Sequence, residues 1–142
     1  MSPSEALRRE IRSRCDAIEE AYEFMLAYAA QGLTDHRASS AGAPISNFLQ
    51  KADTAMAGLA GVFRALIHDE PLSAAPHYLA FVDLLAQDAR KARTALQVVL
   101  AQEAISSQLV DNLNASIHLR ALLTDIFLID EVLKASGAVE SQ

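Results

Sequence analysis

The sequence has no tryptophan, one cysteine (Cys15), four prolines and five glycines among 142 residues. A single cysteine excludes an intramolecular disulfide and any cysteine-built metal knuckle. The scarcity of glycine and proline, which gather at a few points, argues for long helices with short connections and against a β-rich or disordered chain. No apolar run free of charge approaches the length of a membrane-spanning helix. The N-terminus has no basic stretch followed by an apolar core, as a secretory leader would. The expectation is therefore a single domain over 1–142, off the membrane and in the reducing cytoplasm.

Several catalytic and binding patterns are missing too. There is no His-Glu-x-x-His, no glycine-rich phosphate loop and no Gly-x-Ser-x-Gly elbow. Glu-x-x-His, which carboxylate-bridged di-metal bundles place on two of their helices, is also absent. Positive charge is the minority: 12 Lys and Arg stand against 18 Asp and Glu, a net charge of −6 that repels nucleic-acid phosphates and anionic lipid. Two local basic groups exist, Arg8-Arg9-Arg12-Arg14 and Arg90-Lys91-Arg93. Acids flank or interleave both, and neither carries stacking aromatics, which argues against a nucleic-acid surface.

What is abundant is alanine and leucine within an apolar fraction of 51%, the composition of long helices. Four helices are predicted, at about 3–31, 44–68, 74–104 and 107–136. The first opens on Ser2-Pro3-Ser4-Glu5, a capping box with proline at the first helical position. Its stripe runs Leu7, Ile11, Cys15, Ile18, Tyr22, Met25, Ala29, and Gly32 is the expected stop. Residues 33–43 form the one long loop. The second helix begins at Pro44 and its stripe is Ile45, Leu49, Ala52, Met56, Leu59, Phe63, Leu66. Gly58 and Gly61 in its middle suggest close approach of another helix or of a planar ligand, since each costs about 1 kcal/mol relative to alanine. His68 in the last turn suits the negative end of the helix dipole.

The third helix is expected to be capped by Ser73, with Pro76 in its first turn and a stripe of Tyr78, Val82, Leu85, Ala89, Ala92, Leu96, Val99. No glycine or proline separates Pro76 from Gly137. A turn at Ser106-Ser107 is predicted because serine favours caps and the apolar phase slips there. The fourth helix carries Ala115, Leu119, Leu122, Ile126, Ile129 and Leu133, and a frayed tail is expected at 137–142. These elements read as an all-α, up-and-down four-helix bundle with one long loop between helices 1 and 2.

The fourth helix has more apolar surface than one stripe needs. Leu109, Leu113, Leu123 and Phe127, with Ile117, Leu128 and Val132, lie off it. A homodimer using Leu109, Leu113, Leu123 and Phe127 is the expectation, with a protein partner as the other occupant of such a face. Asp111, His118 and Asp125, seven residues apart, share one side of the helix, about 10 Å between successive members at 1.5 Å per residue. A metal or ligand site there would need further ligands from another element, with Glu19, Glu23, His77 and Asp83 as the available groups. Asn112 extends the main stripe backward and is expected to face the core, where a buried asparagine fixes register or meets a polar ligand. Cys15, on an apolar stripe, reads as inert filler. No cofactor is identified by any motif.

The segment Ser116-Ile-His118-Leu-Arg120-Ala-Leu-Leu-Thr124-Asp-Ile126 resembles the phosphoacceptor box of sensor histidine kinases, a histidine followed by Leu-Arg-x-Pro-Leu-Thr on a dimeric helical bundle. The resemblance implies His118 as a phosphate acceptor. It departs from that box in having Leu122 at the proline, His118 one residue closer to Arg120, and no acid after the histidine. A one-residue deletion rotates a side chain by about 100° around a helix. The readings in order are a non-enzymatic interaction or regulatory protein, a metal- or cofactor-binding bundle centred on His118, and a histidine phosphotransfer bundle.

Overall fold

The computed structural model describes residues 2–32, 42–70 and 74–136. The described chain is all helical, without strands: α1 (Pro3–Ala30), α2 (Gly42–Asp69), α3 (Ala75–Leu100), α4 (Ser107–Asn114) and α5 (Ile117–Ser136). Five helices stand where four were expected, because the predicted fourth helix is two. The loop 33–43 lies outside the described residues except for the first residues of α2, and so do the Ser73 cap, the Gly137 stop and the tail 137–142.

The predicted ends follow from backbone chemistry. Ser2 Oγ accepts from the Glu5 N–H at 3.2 Å while Glu5 Oε1 accepts from the Ser2 N–H at 2.9 Å, so the first turn of α1 has its capping box. Gly32 takes φ +71° just past α1, the left-handed conformation that ends helices. The N-cap of α3 is Ala74, which makes no side-chain cap bond, and Pro76 lies in the first turn. The α3 helix ends at Leu100, earlier than the expected 104. The predicted turn at Ser106-Ser107 is present: Ser106 is extended and its Oγ accepts from the Leu109 N–H, which starts α4.

The apolar stripes bury as periodicity requires. Every stripe residue of the second helix, Ile45 through Leu66, is in the core, as are Val82, Leu85, Ala89, Ala92, Leu96 and Val99 of α3. In α1 the stripe drifts: Ala21 and Tyr28 are buried, while Tyr22 and Ala29 are only partly so. A strict seven-residue repeat advances about 20° per heptad on a straight helix, so over four heptads the buried positions shift to neighbours.

Cross-helix bonds set the order of packing. Arg8 forks onto Glu70, with Nε and Nη2 at 3.1 and 2.7 Å from the two carboxylate oxygens, and Ser4 Oγ bonds Asp69. Arg14 donates to the Thr54 and Ala55 carbonyls. Together these lay α1 antiparallel to α2. The α2–α3 pair is likewise antiparallel, tied by buried Asp53 accepting from Arg93 Nε at 2.9 Å and Gln97 Nε2 at 3.3 Å, and by Arg64–Asp83 at 3.0 Å. Beyond α3 the chain returns along α1 as α4, and then packs against α3 as α5.

The planar group beside Gly58 is the Arg14 guanidinium of the neighbouring helix. A Cβ there would lie 2.7–2.8 Å from the Arg14 guanidinium, so the glycine makes room for that side chain as it crosses to the α2 carbonyls. Gly61 has nothing within 4 Å.

Candidate functional site

The break between α4 and α5 positions everything that distinguishes this chain from a plain array of helices. The Ala115 N–H donates to Asp111 and Leu113 carbonyls, and the Ser116 N–H to Leu113. Ser116 Oγ then accepts from the His118 N–H at 3.2 Å, starting α5. Asn112, Asn114 and Ser116 are residues that compete for backbone bonds, and their density here is a signal for a break that the expectation of one fourth helix did not use.

The break resets the helical phase. Asn112, expected to face the core, is exposed and accepts from Gln108 Nε2 at 3.2 Å. Asn114 takes the buried position instead, its Nδ2 donating to the Met25 carbonyl at 3.2 Å, while its Oδ1 finds no partner among the described residues. That bond and two more hold the α3–α4 turn and α4 on the C-terminal half of α1. Tyr28, fully buried, donates from its hydroxyl to the Ile105 carbonyl, and Ser107 Oγ donates to the Tyr28 carbonyl at 2.6 Å. Tyr28 was not singled out by the sequence stripe because it lies one position off the heptad.

The remaining sequence candidates fall in three places. Asp111 is exposed on α4, and His118 is exposed in the first turn of α5. Asp125 is buried, 8% exposed, on the α3 side of α5. The structure therefore does not converge the three, and among the described residues no group of three or more His, Cys, Asp or Glu side chains is placed to hold a metal ion. The expected interface residues also divide. Leu113 and Leu123 are buried in the chain's own core and Leu109 is half-buried against it, so a face built on them is already occupied; Phe127 alone is exposed, at 57%. The second departure follows from packing: α4 and α5 pack on different neighbours, so their off-stripe leucines find partners within the chain.

Asp125 meets Asp88 of α3. Burial first, then the hydrogen bond and charge of Asp88, push the Asp125 carboxyl up from 3.8 to about 7. Two carboxyls in contact cannot both ionise cheaply, so the pair retains a proton where isolated carboxylates would not. The Cys15 thiol is pushed up to about 12, chiefly by burial and then by the charges of Asp130 and Glu19. At neutral pH it is a protonated apolar filler rather than a nucleophile.

One cavity stands out. α1 packs on α2 and α4, α3 packs on α2 and α5, and α1 and α5 are not closely packed on each other. Between the first half of α1 and the last turns of α5 this leaves a cleft of about 560 Å³. Its apolar wall is Ile11, Cys15, Phe63, Leu66 and Leu133, and its rim carries Arg8, Arg9, Arg12, Asp130 and Lys134. Sequence reasoning noted the arginines but not the cleft, because the cleft depends on how α1, α2 and α5 pack, which no local pattern records. No described helix is long and apolar enough to cross a membrane. No protein-family model, no curated protein and no solved structure matches the chain.

Proposed function

We propose that the chain is a non-enzymatic helical interaction protein that works as a homodimer, built as an up-and-down four-helix bundle whose fourth corner is shared by α4 and α5. The observation that carries this reading is the outward surface of α5. Its inner stripe, Leu119, Leu122, Ile126, Ile129 and Leu133, is buried. Yet Ile117, Phe127 and Leu128 remain 73%, 57% and 53% exposed, and Val132 is exposed as well. Ile117, Ala121, Thr124 and Leu128 follow at spacings of four, three and four, a second apolar stripe on the far side of the helix. Thr124, exposed on this face, spends its hydroxyl on the Arg120 carbonyl at 2.9 Å. Exposed apolar area concentrated on one helix marks an association surface, and a stripe on one helix is self-complementary about a two-fold axis.

A metal, cofactor or phosphoryl group centred on His118 has less support. The His118 side chain is exposed, Asp111 lies apart from it on α4, and Asp125 is engaged with Asp88.

Sedimentation equilibrium at micromolar concentration tests the dimer. Twice the chain mass is expected for the wild type, and the single-chain mass for Leu128→Asp with helical circular dichroism unchanged. A wild type that sediments as a single chain at these concentrations overturns the reading.

A further inference from the structure

The α1–α5 cleft lies on the opposite side of the inner stripe from Asp125, and the dimer reading does not use it. Three observations bear on what it takes. The first is its size: about 560 Å³ falls within the roughly 300–1,000 Å³ of small-molecule sites. The second is its wall. Ile11, Cys15, Phe63, Leu66 and Leu133 are each buried or nearly so, and with its thiol protonated Cys15 adds no charge. The third is its rim. In a chain of net charge −6, four cations gather at this one opening.

Those cations are not all committed to partners. Arg8 is held by Glu70, and Lys134 lies 3.9 Å from Asp130 in its own helix. Arg9 and Arg12 form no ion pair or hydrogen bond among the described residues. Arg12 acts on Cys15 and Glu19 only through its charge. Two guanidiniums one turn apart at the mouth of an apolar cleft are suited to an acidic head group, because the guanidinium fork matches carboxylate and phosphate oxygens.

We propose that the α1–α5 cleft binds a single-chain amphipathic anion, its apolar body against Ile11, Phe63, Leu66 and Leu133 and its acidic head on Arg9 and Arg12. The two halves of such a ligand answer different walls of the site. The tail provides the burial, and the head provides orientation, since a charged group entering the cleft would meet no cation at its floor.

Calorimetric titration of the full chain tests this with dodecanoate, dodecanol and acetate as probes. Dodecanoate is expected to bind one per chain. Dodecanol, which lacks the charge, and the double variant Arg9→Gln/Arg12→Gln with dodecanoate are each expected to bind about ten-fold or more weakly, the effect of losing roughly 1.4 kcal/mol. Acetate, which lacks the tail, should show no binding. Methyl resonances of Ile11, Leu66 and Leu133 should shift on adding dodecanoate. Both arginines project from the exposed side of α1, so the double variant should retain wild-type helicity, and a second variant, Arg90→Gln/Lys91→Gln, controls for loss of charge elsewhere. The proposal is overturned by absence of dodecanoate binding, by equal affinity for dodecanol, by unchanged affinity in the Arg9/Arg12 variant, or by shifts confined to the outer face of α5. Because the readout is stoichiometry per chain and not assembly, it stands or falls independently of the dimer.

Discussion

The Tyr28 hydroxyl donates to the backbone carbonyl of Ile105, 77 residues away in the chain. With Ser107 Oγ donating back to the Tyr28 carbonyl, it closes a reciprocal clasp between the last turn of α1 and the turn that begins α4. Both members are buried, so neither bond competes with water. The clasp ties the chain after α3 to the end of α1.

Tyr28→Phe keeps the ring and removes one buried hydrogen bond. A loss of about 1 kcal/mol is expected, read as a lower urea midpoint with an unchanged slope. Ser107→Ala should lose a similar amount. Because the two bonds share one clasp, the double variant should lose less than the sum of the singles; strict additivity would show that they act independently.

Asp125 makes stability depend on pH. Its carboxyl titrates near 3.8 when unfolded and about 7 when folded. Between those values the folded state binds the extra proton, so this group's contribution to stability falls as pH rises from about 4 to 7 and is level outside that window. Asp125→Asn should remove this component and raise stability at pH 8 relative to wild type. Urea midpoints measured from pH 4 to 8 check it; an equal pH slope in the variant and wild type would refute it.

Two glycines of α2 should respond differently to alanine. At Gly61, exposed with open space around it, the gain is the ordinary propensity difference, about 1 kcal/mol. At Gly58 the new methyl displaces the Arg14 guanidinium and its bonds to the Thr54 and Ala55 carbonyls, which offsets that gain. Thermal melts should therefore rise for Gly61→Ala and change less, or fall, for Gly58→Ala.

Ser116 holds the start of α5 after the break. Ser116→Ala should cost about 0.5–2 kcal/mol, the usual loss of an N-cap. If α4 and α5 instead fused into one helix in the variant, helical circular dichroism would increase, and the cleft between α1 and α5 would be expected to change with it.

Much of this was legible in the chain itself. The capping box at Ser2, the stop at Gly32, the turn at Ser106 and the stripes of α2 and α3 depend on local chemistry: a side-chain acceptor, a residue that tolerates positive φ, and a 3.6-residue period. Those are properties of neighbours in sequence, and they set which residues face inward. What tertiary structure alone decided is where α4 and α5 dock. An Asn-x-Asn-x-Ser run permits a break, but whether the helix continues depends on which surface each half can bury. The clasp at Tyr28 and the Asn114–Met25 bond hold α4 on α1, while the inner stripe of α5 packs toward α3. That choice moved Asn112 into solvent, buried Leu113 and Leu123, set Asp111 and His118 on different helices, and left α1 and α5 apart at the cleft beneath Arg9 and Arg12. Each of these turns on contacts between residues far apart in the chain, whose energies no local pattern of residues records.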